Sequence, residues 1–168
     1  MNDRPSPDSV RALGVELKKI SADRASLCCR RPDGTATWAR VHPFFPQHDL
    51  THFAVETELT LLRGFFGLIA EGWQLDDFTQ AGGAARLPAE SLVVENLVGT
   101  VERIESDAPL GDFDSALTTS LSAQNLPAFR ALRADELTRV RATRAALIAQ
   151  WSALPIGETL CLSFPLGG

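Results

Sequence analysis

A chain of 168 residues, 45% hydrophobic and 22% charged, with a net charge of −5, has the composition of an ordinary globular protein. At this length folding buries about 70% of the unfolded surface, enough for a core without staples. The acidic balance argues against nucleic acid as a partner, and no apolar run approaches the roughly 18 residues of a membrane span.

Cys28, Cys29 and Cys161 are the only cysteines. An odd count without a spacing pattern is no disulfide framework, and a reducing compartment fits best. The opening MNDRPSPDSV lacks an apolar stretch of signal-peptide type, so the expectation is a cytoplasmic protein. The dominance of Ala, Leu and Arg suggests a bacterial source.

Residues 1–9 are polar and Pro-rich and read as a flexible arm ahead of a single domain over 10–168. In the stretch 12–21, Val15, Leu17 and Ile20 roughly alternate with polar residues and predict a strand. Strands follow over 24–31 and 35–41, joined at Asp33-Gly34, the strongest short-range hairpin signal. Pro46 then suits a first helical turn, and the spacing predicts one helix from about 46 to 71, weakened in its second half by Gly64 and Gly67.

The stretch QAGGAARLP reads as a loop. A helix over about 88–105 carries the stripe Val94, Leu97, Val98, Val101 and Ile104. The run DSALTTSLSA predicts a short helix. A long one follows over 134–153, with Asp135 and Glu136 at its N-terminus, both expected to pair with Arg139, and with Pro155 and Gly157 ending it. Leu160, Leu162 and Phe164 alternate in a last strand. The fold class is therefore α+β: a small antiparallel sheet, made of an N-terminal meander plus the C-terminal strand, packed against three to four helices.

All three histidines, His42, His48 and His52, lie within the run HPFFPQHDLTHFAVETE. His48 and His52 are four apart, so on a helix they share a face and two imidazoles reach one divalent ion. That face continues through Val55, Leu59, Leu62 and Phe66, which turns the pair toward the interior. Asp49 and Glu56 flank it as carboxylates that complete or orient a site. His48 and Glu56 are about 12 Å apart along an unbroken helix and cannot share an ion with His52 between them. A further ligand must come from His42, from Glu95 or Glu102, or from Glu71, Asp76 or Asp77. Zinc is the first expectation, with manganese, nickel and iron as alternatives.

The string HDLTH is similar, over five residues, to the HDxxH motif of the coenzyme Q biosynthesis scaffold family, which implies a zinc site. The chain departs from that family in having Gly64 where a carboxylate is expected, and in opening with a hairpin where the family is helical. Asp49 replaces the Glu of the zincin pattern, and His42 lies too close to the HD pair for a phosphohydrolase of the HD type.

Other features carry less. AGGAAR has no phosphate-loop ending, so no nucleotide cofactor is expected. DAPLGDFD lacks calcium-loop spacing. The arginines 130, 133, 139, 141 and 144 pair with nearby acids and have only Phe129 as an aromatic companion. Two functions follow. One is a metal-dependent hydrolase of an unspecified small molecule, with His48, His52, Asp49, Glu56 and His42 as candidate metal residues. The other is a non-catalytic interaction or ligand-binding module, homodimeric, whose histidines are structural.

Overall fold

Asp33-Gly34 makes the turn that the sequence predicts. In the structure, a computed structural model that describes residues 11–42, 45–80, 82–104 and 107–167, Gly34 takes φ +87°. Asp33 Oδ1 accepts from the Thr35 amide at 2.9 Å and from its hydroxyl at 2.7 Å. The expected arm over 1–9 lies outside the described residues.

The turn joins β2 (Ala25–Arg30) to β3 (Ala36–Val41), and β1 (Ala12–Lys19) pairs with β2 on the other side. The C-terminal strand β4 (Thr159–Pro165) returns to β1, giving an antiparallel sheet of order β3-β2-β1-β4. Period-2 alternation puts Leu13, Val15, Leu17, Leu27, Cys29 and Phe164 on the buried face. The adjacent Cys28 and Cys29 therefore part, with Cys29 buried and Cys28 on the outer face.

Helix α1 (Phe45–Glu58) lies between this sheet and a helical layer formed by α4 (Ala89–Arg103), α5 (Leu110–Ala123) and α6 (Ala134–Ala153). Leu50, Phe53 and Ala54 of α1 pack with the sheet residues, while Val55 and Leu59 join Leu97, Val98, Phe113 and Val140 of the helical layer. No helix among the described residues is long and apolar enough to cross a membrane.

The single helix expected over 46–71 is two helices. Thr60 adopts φ +55°, and Leu61 N–H donates to the Glu56 carbonyl at 2.8 Å, a helix-ending pattern that closes α1. The chain restarts as α2 (Phe65–Glu71). Gly64 supplies no side chain for the new N-terminus, and Glu56 caps it from the preceding helix. Its carboxylate accepts from the amides of Phe65 (2.8 Å), Phe66 (3.1 Å) and Gly67 (3.2 Å). A short α3 (Leu75–Thr79) follows, so the described residues hold more helices than the three to four expected. The predicted loop contains one 3₁₀ turn, Ala84–Arg86. Helix α5 begins at Leu110 rather than 114, because Pro109 serves as its N-cap.

Two buried or half-buried cations close helix C-termini, where carbonyls lack intrahelical donors. Arg31 donates to the carbonyls of Ile69 and Trp73, each at 2.6 Å. Lys19 Nζ donates to those of Trp151 (2.6 Å) and Leu154 (2.7 Å). At the N-terminus of α6, Asp135 pairs with Arg139 at 2.6 Å as expected. Glu136 does not: it takes both guanidinium nitrogens of Arg130 (2.8 and 2.9 Å) and the Arg133 amide (2.9 Å). Arg130 reaches it from the preceding loop, whereas Arg139 is held by Asp135 and Glu58.

Candidate metal centre

The four-residue spacing brings the two imidazoles together on one face of α1. His48 and His52 stack edge-to-face on α1 with ring centroids 4.8 Å apart. The α1 face that carries them meets α4, where Glu95 and Glu102, seven residues apart, share one side of the helix. The Glu95 carboxylate sits between the imidazoles: Oε2 is 3.0 Å from His52 Nε2 and Oε1 is 3.5 Å from His48 Nε2. Among the described residues, His48, His52 and Glu95 each present one ligand atom within 4.8 Å of the others, a spacing that could hold a metal ion.

The far side of each ring is held as well. His48 Nδ1 donates to Glu102, with both oxygens at 3.2 Å, and His52 Nδ1 donates to Glu56 at 3.1 Å. Carboxylate partners of this kind fix ring orientation and direct Nε2 toward a shared point. Glu56 therefore has two roles, orienting His52 and capping α2. It is fully buried, and four donors converge on it.

The charges follow from this geometry. Hydrogen bonds to Glu102 and Glu95 raise His48 to about 10. Burial alone would lower His52, but its bonds to Glu56 and Glu95 outweigh that and raise it to about 9. The same contacts from His48 and His52 hold Glu95 well below the ordinary carboxylate range. Burial opposes the shift at Glu102, where the His48 bond prevails and lowers it. Without a metal the cluster is two imidazoliums among carboxylates, and a divalent ion would replace two protons without changing the net charge.

The other expected residues fall around this group. Asp49 is buried beside it, its Oδ2 has no hydrogen-bond partner among the described residues, and burial pushes it up to about 6. It is not in the first turn of α1 and does not serve that helix end. His42, just beyond β3, lines the adjoining cavity but is outside the three-residue group. Asp76 lines the same cavity, Asp77 caps α3 by accepting from the Gln74 amide at 2.8 Å, and Glu71 is exposed at the end of α2. Glu95 was one of several acids open to sequence reasoning, and only the packing of α4 on α1 selects it.

The cavity beside the group has a volume of about 480 Å³, within the range of small-molecule sites. His48, Asp49, His52 and Glu95 contribute to its wall, with Phe65, Leu75, Phe78 and Leu92 among its apolar lining. No protein-family model matches the chain. Comparison with curated proteins and with solved structures likewise finds no match.

Proposed function

We propose that this protein binds one divalent metal ion through His48 Nε2, His52 Nε2 and Glu95, and uses it to hydrolyse a small molecule held in the adjoining cavity. The observation that carries the reading is the convergence of those three groups within 4.8 Å, supported by a carboxylate behind each ring. Two imidazoles and one carboxylate suit zinc, with manganese, nickel and iron as alternatives. Three protein ligands leave a coordination position for water, whose acidity a bound metal raises. Such a metal would supply an activated water oxygen for addition to the substrate's electrophilic centre, with the water's proton leaving on the displaced group.

Elemental analysis of the purified protein tests this directly. Near-stoichiometric metal is expected, lost in the H48A/H52A double variant, together with a zinc-dependent rise in melting temperature. Metal-free wild type whose melting and heat signal ignore added zinc would end the proposal.

A second reading has its own support. Every ring nitrogen of His48 and His52 already faces a carboxylate, so the cluster is complete as an ion-pair network between α1 and α4. The histidines are then structural and the chain is an interaction module. Trp38 (66% exposed) and Ile156 (62%) supply apolar surface for self-association. Sedimentation showing a dimer in metal-free protein would favour this reading.

A further inference from the structure

The apolar part of the cavity begins at the metal ligands themselves. The Phe65 ring centroid lies 5.4 Å from that of His52 and 4.8 Å from that of Phe78. A ligand whose head reaches His52 Nε2 must therefore lay its body along hydrocarbon. Leu75 and Leu92 extend this lining, and about 480 Å³ is within the range of cavities that hold a small-molecule body. Arg40 and Asp76 also line the cavity, both exposed. Their charges offset each other, His42, Asp49, Thr79 and Ser91 add polar groups to the wall, and Phe65, Leu75, Phe78 and Leu92 give a ligand body its apolar contacts.

Resting on the metal reading above, we infer that the site takes an apolar acyl compound, an ester or amide, with its carbonyl oxygen at the metal and its hydrocarbon or aryl body against Phe65, Phe78, Leu75 and Leu92. Hydrolysis joins a water oxygen to the acyl carbon and breaks the acyl C–O or C–N bond, so the alcohol or amine leaves with one water proton and the other product is the corresponding carboxylate. Its oxygens are hard donors that suit the same metal, which makes it a stable probe of the site.

The experiment is calorimetric titration of the full chain, zinc-loaded and EDTA-treated, with 4-phenylbutyrate and with acetate. The zinc-loaded protein is expected to bind phenylbutyrate at least about thirtyfold more tightly than acetate, the difference expected from burying the added hydrocarbon. Placing a carboxylate in the apolar lining with L92E should remove that preference while zinc content stays stoichiometric. F78A, which shortens the lining without adding charge, should reduce it by about tenfold.

Equal affinity for the two acids in zinc-loaded protein would overturn the inference and leave the metal reading standing. If the chain retains no zinc, the head's assignment falls with the metal reading. The EDTA-treated protein then decides the body: a preference for phenylbutyrate abolished by L92E sustains an apolar-ligand cavity, and its absence overturns that too.

Discussion

The Glu56 carboxylate occupies the space that a side chain at Gly64 would need: a Cβ built there falls 2.4 Å from Glu56 Cδ and 2.6 Å from Oε1. The absent side chain lets one carboxylate cap α2 and hold His52 at once. G64A is thus expected to destabilise the fold by about 1–3 kcal/mol, the usual range for overpacking, and to weaken metal binding by displacing Glu56. Urea unfolding and zinc titration measure the two effects. A variant as stable as wild type would show that Glu56 moves aside freely.

E56Q keeps the volume and replaces one acceptor oxygen with a donor amide that faces backbone N–H groups and His52 Nδ1. Breaking a buried charged network in this way is expected to cost about 3–5 kcal/mol. In whatever fraction folds, zinc affinity should fall about 10- to 100-fold through the loss of ring orientation. Unchanged zinc affinity in folded E56Q would remove Glu56 from the site and leave it only as a helix cap.

Stability without metal and the proposed affinity for zinc are expected to depend on pH with opposite signs. In metal-free protein His48 and His52 are raised from 6.5 to about 10 and about 9. Their contribution to stability is therefore full below pH 6.5 and is lost as pH rises through 9 to 10. Metal uptake must displace those protons, so zinc affinity should rise from pH 6 to pH 8, about tenfold per pH unit for each proton displaced. Competition with a chelator at fixed free zinc measures the slope. A flat profile would exclude the imidazoles as ligands.

Lys19 ties β1 to the end of α6 through its bonds to the Trp151 and Leu154 carbonyls and lies 5.0 Å from the Trp151 ring centroid. K19M keeps the stem and removes the charge. It should lower stability by about 1–2 kcal/mol without altering zinc stoichiometry. A loss of metal in K19M would mean that the site depends on how α6 is seated.

The sequence by itself determined whatever depends on neighbours along the chain. Alternation in Val15–Leu17 and Leu160–Leu162–Phe164 set the sheet faces, Asp33-Gly34 set the hairpin, and Pro155 and Gly157 stopped α6. The spacing of His48 and His52 placed both rings on one helix face. Tertiary structure alone decided what those rings meet. The packing of α4 on α1 chose Glu95 and Glu102 over Glu71, Asp76 and Asp77, because a ligand from another element depends on how two helices pack, which local periodicity does not encode. It also decided the break at Thr60. Helical spacing runs on through residues 59–64, and the helix ends there because Glu56 finds its donors in a helix that begins beyond the turn.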